Sequence, residues 1–184
     1  IKHLTTADGG MIILPDETMF NRAKLLRWFG IDRNRRSGGD FRLEPDIQEW
    51  GYKFHMNDVN ATLGLSNLPF VLSNIERGIE VAARYNRELR GLYAFELLKI
   101  PARAEPSFWI YTLKVKEKAK FMAFMKEKGV IVSQVHGRND THTCVLDFTT
   151  TIRSMDILEK SIISIPCGWW LSDHDVEYII KSMK

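Results

Sequence analysis

The sequence predicts an α/β fold, because segments with strand character alternate with segments of helical periodicity through its second half. Alternating apolar positions in Phe108–Val115 are typical of a strand, and Gly129 closes a helical pattern that starts at Lys118. The predicted elements are, in order, the strand Phe108–Val115, the helix Lys118–Lys128, the strand Val130–Val135, the helix Met155–Ser161, the strand Ile162–Ile165 and the helix Asp173–Met183. Such a series favours a small α/β lobe.

The first thirty residues predict a strand followed by a helix. Met11–Leu14 is a short apolar run between a Gly-Gly pair and a proline, which suits a buried strand. Asp16 is placed to cap a helix over Glu17–Phe29, and Gly30 is placed to end it.

A long polar loop and a second helical region follow. Residues 31–50 are rich in Arg, Asp and Gly, and connections of this length are usually functional or mobile. Asn57 or Asp58 is expected to cap the next helix, and Pro69 to kink or break it. The helical pattern resumes and ends near Gly91, so we interpret it as a connecting helix between two lobes.

Composition excludes several classes of protein. The chain has 184 residues, of which 45% are hydrophobic and 27% charged, as in ordinary globular domains. A net charge of +3 is too small for a dedicated nucleic-acid binder, so no nucleic-acid partner is expected. No apolar run approaches the ~18 residues of a membrane helix, and no signal peptide is present, so no membrane association is expected.

The cysteines and the first residues bear on location and completeness. Cys144 and Cys167 lie in separate segments without metal-type spacing, which favours a reduced, cytoplasmic protein. The chain has no initiator Met and starts inside a motif. We therefore expect it to be the C-terminal part of a longer or processed protein.

Two stretches carry most of the functional information. Lys2 opens the run Lys-His-Leu-Thr-Thr-Ala-Asp-Gly-Gly, and Gly51–Leu65 reads Gly-Tyr-Lys-Phe-His-Met-Asn-Asp-Val-Asn-Ala-Thr-Leu-Gly-Leu. A lysine amine can act as a nucleophile when it is held neutral, and glycines let backbone approach closely. On spacing alone, an ordinary turn with a surface lysine explains the first stretch equally well.

As strings, both stretches resemble the DegT/StrS-type sugar aminotransferases. The first is similar to that family's lysine loop, roughly K-x-[IL]-T-[TC]-x-[ED]-G-G, and the second to its G-Y-[NK]-[YF]-x-[ML]-x-[DN]-[IV] signature. Leu25–Ile31 resembles the family's L-R-x-x-G-I segment, and His136 and His142 lie where members carry histidines in a loop near the substrate.

The resemblance implies the C-terminal part of a fold type I, aspartate aminotransferase-like enzyme that uses pyridoxal 5′-phosphate. Residues 1–68 would form the end of the large cofactor-binding domain with the lysine loop. Residues 69–92 would form the connecting helix, and residues 93–184 the small α/β domain.

The resemblance also implies roles for individual residues. Lys2 would carry the cofactor and move a proton between cofactor and substrate, whereas Thr5, Thr6 and Asp8 would shape the loop. Lys53 and His55 would contact the cofactor phosphate of a partner subunit. Lys53 could instead be a solvated turn residue, and His55 departs from the Arg or Asn of many relatives.

Substrate contacts are less sharply indicated. Arg33, with Arg35 and Arg36, could bind the substrate diphosphate, although a solvated basic loop is the commoner explanation of such a cluster. His136 or His142 could line the substrate pocket. The spacing of these two histidines with Cys144 fits no familiar zinc site, so no metal is expected.

The function that follows is transamination of a nucleotide-linked keto sugar by a cytoplasmic homodimer in polysaccharide biosynthesis, with glutamate as the expected amino donor. The 184 residues alone are expected to be inactive. Three alternatives stay open: a pyridoxal-phosphate-dependent sugar dehydratase, in which histidine replaces the lysine; a non-catalytic regulatory protein of the same fold; and a plain structural or interaction module.

Overall fold

The computed structural model describes residues 2–35 and 46–184. Its chain divides into two compact units, of which one comprises Leu4–Pro69 and the other comprises Phe70–Lys184 together with the residues before Leu4. Arg36 and the rest of the predicted polar loop up to residue 45 lie outside the described residues.

Two helices form the regular structure of the first unit. Helix α1 spans Glu17–Leu26, and the Asp16 side chain caps it by accepting a hydrogen bond from the backbone amide of Met19, at 2.8 Å. Helix α2 spans Asp58–Asn67 and is capped by Asn57 in the same way, with Asn60 N as donor. Both predicted caps are confirmed, because a short polar side chain satisfies free amides in a helix's first turn.

Helix α1 ends three residues earlier than predicted. Phe29 and Gly30 both have positive φ, +56° and +79°, and this left-handed backbone turns the chain out of the helix. The predicted strand Met11–Leu14 is wrong. It pairs with no strand among the described residues, and Met11 and Ile13 are about nine-tenths exposed. A strand requires a neighbouring edge to satisfy its backbone groups.

The second unit begins with the longest helix. A 3-10 turn at Leu68–Phe70 contains Pro69 and separates α2 from α3, which spans Val71–Leu89. The break predicted at the proline is therefore confirmed. Gly91, with φ +81°, follows the end of α3. The remaining helices are α4 at Lys118–Glu127, α5 at Arg153–Glu159 and α6 at Asp173–Met183.

Three antiparallel strands form one sheet in the order β1-β2-β3. Strand β1 spans Phe95–Leu97, β2 spans Tyr111–Val115 and β3 spans Ile162–Ile165. The register places Phe95 opposite Val115 and Tyr111 opposite Ile165. Strand β1 was not predicted, because three residues carry too little periodicity to be recognised.

Two predicted strands are corrected by positive backbone φ angles. The strand predicted from Phe108 begins only at Tyr111, since Phe108 has φ +50°. Val130–Val135 is not a strand: it makes one bridge, between Ser133 and Ser164. Val135, with φ +34°, bends the chain before a ladder can form.

The hydrophobic core of the described residues lies in the second unit. Helix α3 supplies its buried face at helical spacing, and alternate residues of β2 point toward the same interior. The buried apolar side chains are Val81, Ala82, Tyr85, Leu89, Tyr111, Leu113, Val115, Met125, Val130, Val132, Ile163, Ile165, Cys167, Val176, Ile179, Ile180 and Met183. Among the helices described, none has both the length and the apolar character needed to cross a bilayer.

Candidate active site

The segment that carries Lys53 and His55 is held against the end of α1. Three backbone hydrogen bonds join the two stretches, from Tyr52 N to Leu26 O (2.6 Å), from Phe29 N to Tyr52 O (2.9 Å) and from Phe54 N to Arg27 O (2.8 Å). These bonds fix the backbone on both sides of Lys53, so its position and that of His55 are set by the fold of the first unit.

The end of α1 and the Gly51–Phe54 segment cross closely here, and two glycines make this crossing possible. A Cβ atom on Gly51 would lie 2.4 Å from the backbone nitrogen of Gly30, and one on Gly30 would lie 1.9 Å from the carbonyl oxygen of Glu49. No side chain other than hydrogen fits at such distances. The Gly of the Leu25–Ile31 segment and the first Gly of the Gly51–Leu65 signature therefore meet in space.

His55 presents a ring nitrogen that lacks a partner. Its ring stands edge-on to Trp28, with 4.0 Å between ring centroids, and Nδ1 is buried without a hydrogen bond to any described residue. A buried polar atom without a partner is uncommon and costly, which makes it a candidate for contact with a ligand. Lys53 is exposed, and its backbone forms a bridge with Trp28.

An open cleft of about 700 Å³ lies beside His55, and positive charge predominates in it. Among its charged lining residues, Lys24, Arg27, Arg33 and Arg35 outnumber Asp32 and Asp58. The guanidinium carbon of Arg33 lies 4.5 Å from the centroid of the Trp28 ring. Arg35 is paired with Asp32 at 3.3 Å. Because the guanidinium group forms paired hydrogen bonds with phosphate, the positive charge of the cleft suits an anionic ligand.

The lysine loop is shaped by its own side chains, as predicted. Thr6 Oγ1 donates to Asp8 O at 2.7 Å, Thr5 Oγ1 accepts from Ala7 N at 3.2 Å, and Asp8 Oδ1 accepts from Gly9 N at 2.9 Å. Gly9 has φ +138°, a conformation that other residues rarely adopt.

Two asparagines of α2 fasten this loop to the helix. Asn60 Nδ2 donates to Asp8 O and Asn67 Nδ2 donates to Thr5 O, each at 2.9 Å. The two residues are two helical turns apart and so lie on one face of α2. The sequence reasoning missed both, although two Asn at this spacing in the signature helix are a usable signal.

Lys2 itself contacts an aromatic ring in the second unit. Its exposed side chain places Nζ 3.5 Å from the centroid of the Trp109 ring, within the range of a cation–π contact. The ring of His136 stands edge-on to Trp109, with 6.0 Å between centroids. Trp109 thus joins two residues predicted to be functional, and nothing in its local sequence indicated this role.

The loop that bears His136 is anchored at both ends. Gln134 Nε2 donates to His136 O at 3.1 Å, and Lys118 Nζ contacts Gln134. Arg138 pairs with Asp140 and Asp156, and these hydrogen bonds raise the pKa of its guanidinium above the ordinary value. His136 is therefore attached to an ordered loop.

His142 does not share this environment. It is exposed, and its backbone carbonyl begins a 3-10 turn at Thr143–Phe148 by accepting from Val145 N at 3.0 Å. Within the part of the chain that the structure describes, no hydrogen bond of its side chain is present. The predicted residues thus fall into two groups, with Lys2 and His136 beside Trp109 in one unit and Arg33 and His55 lining one cleft in the other.

The sequence profile of the DegT/DnrJ/EryC1/StrS aminotransferase family matches residues 1–184. The chain is similar to the crystal structure of the sugar aminotransferase CalS13 from Micromonospora echinospora, at 38% identity and a TM-score of 0.92 over 100% of this chain and 49% of that one. It is similar to AtS13 from Actinomadura melliaura, at 38% identity and a TM-score of 0.89 over 98% of this chain and 48% of that one.

A curated relative agrees with these structures. The chain is 25% identical to the UDP-4-amino-4,6-dideoxy-N-acetyl-beta-L-altrosamine transaminase of Campylobacter jejuni, over 97% of this chain and 48% of the relative. The chain therefore spans about half the length of the relatives it matches. The predicted fold class, an α/β C-terminal part of a fold type I enzyme, is confirmed. On the whole-length match and the shared fold, the chain belongs to the DegT/DnrJ/EryC1/StrS aminotransferase family.

Proposed function

We propose that this chain is the C-terminal part of an aminotransferase that places an amino group on a nucleotide-linked keto sugar, with pyridoxal 5′-phosphate as cofactor and glutamate as amino donor. The observation that carries the proposal is the lysine loop, which hydrogen bonds from Asn60 and Asn67 fasten to the signature helix. Family membership and the transaminase activity of the Campylobacter relative support the sugar substrate.

The residues present fit the cofactor in part. Lys2 offers an exposed amine at the start of an ordered loop, and His55 offers a buried Nδ1 that lacks a partner. Lys2 would bind the cofactor covalently, whereas His55 and the exposed Lys53 would contact its phosphate. When bound, the cofactor supplies the electron sink for amino transfer.

The protein's own part in the chemistry centres on Lys2 Nζ. Once its amine is free, this atom would move a proton from the amino-bearing carbon of the donor to the cofactor in one half of the reaction, and from the cofactor to the former keto carbon of the sugar in the other half. Thr5, Thr6 and Asp8 keep the loop in one conformation. Their hydrogen bonds orient the lysine, since positioning contributes much of the rate in such reactions.

The basic cleft of the first unit would bind the substrate's diphosphate. Arg33 is the residue we assign to it, because its guanidinium is exposed and stacked on Trp28. His136 would line the sugar pocket, and we retain His142 as a second substrate contact. The domain boundaries proposed for the enzyme are 1–68, 69–92 and 93–184.

The proposed assembly is a cytoplasmic homodimer. Helix α2 leaves apolar side chains exposed, among them Val59 and Leu65, each with about 70% of its surface accessible. Exposed apolar patches of this kind are typical of interfaces. Cys144 and Cys167 are both free thiols, which fits a reducing compartment. Amino sugars made by such a dimer would serve polysaccharide biosynthesis.

Borohydride reduction in the presence of pyridoxal 5′-phosphate tests the role of Lys2. In a protein that also contains the half of the family's length not covered here, we expect a phosphopyridoxyl adduct on the Lys2 peptide by mass spectrometry. Lys2→Ala abolishes the adduct and the turnover, because no other amine starts the loop. The exposed Lys120→Ala serves as the matched control and leaves both intact.

The 184 residues by themselves are expected to show no turnover and little adduct, because they span about half the length of the relatives. Turnover by the isolated chain would contradict this part of the proposal. An unmodified Lys2 in the longer protein would contradict the role of the lysine. Mass analysis of the sugar product distinguishes an amine, expected for transamination, from a deoxy ketone, expected for a dehydratase.

A further inference from the structure

Trp109 holds a charged amine on the face of its indole ring. Lys2 Nζ lies 3.5 Å from the ring centroid, where the negative face of the ring attracts a cation. Among residues 2–35 and 46–184, Lys2 forms no ion pair with a carboxylate. The ring is thus the feature of the described structure that receives this ammonium group.

The backbone, and not Lys2, sets the position of the ring. A Cβ atom on Gly78 of α3 would lie 2.8 Å from Ser107 O and 3.0 Å from Phe108 O, so the glycine lets this segment pack directly on the helix. Phe108 then turns the chain with φ +50°. Three residues further on, Tyr111 Oη donates to Asn86 Oδ1 at 2.7 Å. The backbone that carries the ring is therefore held by contacts that do not involve Lys2.

One edge of this face is bounded by a second anchored group. The His136 ring approaches Trp109 edge-on, at an interplanar angle of 82°. Its backbone is held by Gln134, and the neighbouring Arg138 is paired with Asp140 and Asp156. A fixed aromatic face with a fixed polar edge is the kind of surface that selects a small charged group rather than an arbitrary apolar one.

We propose that the face of Trp109 is a binding site for the ammonium group of a substrate, and that Lys2 Nζ occupies it until the cofactor takes up the lysine amine. The inference rests on the proposed function, because that function requires Lys2 to leave the ring. In transamination one amine enters with the donor and another leaves with the sugar. Each can present an ammonium group at the vacated face.

Removing the resident amine makes the site directly measurable. In Lys2→Ala, we expect ethylammonium chloride to shift the indole Nε1–H resonance of Trp109 saturably in a two-dimensional NMR titration. Ethanol, which is similar in size but neutral, should leave the resonance in place. The Trp109 resonance is assigned by its disappearance in Trp109→Leu, and dispersed amide spectra establish that each variant is folded.

A second variant measures the contribution of the ring. Affinity followed through neighbouring amides should fall about two- to five-fold in Lys2→Ala/Trp109→Leu, the range of an exposed cation–π contact. Lys2→Ala/Trp169→Leu is the matched control, since Trp169 is exposed and contacts Trp170. It should bind ethylammonium as Lys2→Ala does.

Matched neutral compounds identify the source of the ammonium group. Glucosamine is compared with N-acetylglucosamine, and L-glutamate with N-acetyl-L-glutamate, because acylation removes the charge and keeps the skeleton. A shift with glucosamine alone assigns the site to the amino sugar, and a shift with glutamate alone assigns it to the donor. Equal shifts with charged and neutral partners, or no shift with ethylammonium, overturn the inference.

These titrations use no cofactor, so they are independent of the borohydride experiment. A Lys2 adduct together with an unresponsive Trp109 would remove this inference and leave the proposed function standing. Ethylammonium binding without a Lys2 adduct would show a cation site whose assignment to transamination is wrong.

Discussion

Gly51 illustrates how a single residue can decide whether the segment that bears Lys53 and His55 is placed correctly. Its neighbour across the crossing is backbone, the nitrogen of Gly30, and not the flexible end of a side chain. Backbone cannot give way without breaking the hydrogen bonds of Phe29 and Tyr52. The restriction therefore acts directly on the segment that bears Lys53 and His55.

Gly51→Ala is expected to destabilise this crossing by about 1–3 kcal/mol, the usual cost of overpacking a tight site. The change is measured as faster hydrogen exchange of the Phe29 and Tyr52 amides, which donate the crossing bonds. Gly10→Ala is the control in the same unit, because a Cβ atom there meets nothing within 4 Å. Unaltered exchange in Gly51→Ala would show that the crossing tolerates the methyl group.

At the scale of elements, α3 and α6 are joined by an ion-pair cluster. Arg77 of α3 donates to the Asp173 carboxylate and to Leu171 O, each at 2.9 Å, and Arg84 donates to the same carboxylate at 3.1 Å. Asp173 is the first residue of α6, after a capping box made by Ser172 and Asp175. The carboxylate of Asp173, at the start of α6, thus accepts hydrogen bonds from two arginines of α3.

This cluster predicts a specific dependence on pH. The hydrogen bond and charge of Arg77, with a smaller effect of Arg84, hold the pKa of Asp173 below its ordinary value of about 3.9. A lowered pKa in the folded state stabilises the fold above the unfolded pKa, and this stabilisation is lost as pH falls through the folded value. Arg77→Met should therefore lower stability more at pH 7 than at pH 2–3.

Urea unfolding from pH 2 to 7 measures this difference. Arg153→Met is the control, because Arg153 is exposed and pairs with no carboxylate among the described residues. A gap between wild type and Arg77→Met that stays constant with pH would show that Arg77 acts through packing and not through its charge.

Local rules predicted helices better than strands in this chain. Asp16, and Asn57 as one of two candidates, were recognisable as helix caps, because a cap depends on residues within one turn. The strand predicted at Met11–Leu14 was wrong and β1 was missed, because pairing depends on a distant partner that a short run does not specify.

In the candidate site, too, local sequence features could be predicted and contacts between distant residues could not. Lys2, Lys53 and His55 were singled out as family strings, and their roles remain predictions. The contact of Lys2 with Trp109 could not be predicted, because the two residues are far apart in the sequence. The placement of Trp109 depends on Gly78, which lies in the interior of α3 and resembles an ordinary weak helical position.

On the scale of the whole molecule, the two units differ in how they are stabilised. The core side chains all lie between Val81 and Met183. Among the described residues of Leu4–Pro69, none is buried, and apolar side chains such as Ile13 and Phe54 are mostly exposed. Since burial of apolar surface is the main favourable term in folding, the first unit depends on contacts beyond its own residues.

A truncated chain of residues 70–184 is therefore expected to fold cooperatively, whereas residues 4–69 alone are expected to remain unfolded or to aggregate. Circular dichroism melting and dispersion of the amide NMR spectrum measure both outcomes. A poorly dispersed spectrum for 70–184, or a cooperative melt for 4–69, would contradict this distribution of stability.

The hydrogen bonds from Asn60 and Asn67 also link ligand binding at the lysine loop to the stability of α2. Because they fasten the loop to α2, a compound that orders the loop also lowers the population of conformations in which α2 is locally unfolded. By mass action this stabilises the folded form by about 2.7 kcal/mol at a ligand concentration a hundred times Kd. If the proposed cofactor is such a compound, its binding would also lengthen the time for which this segment escapes proteolysis.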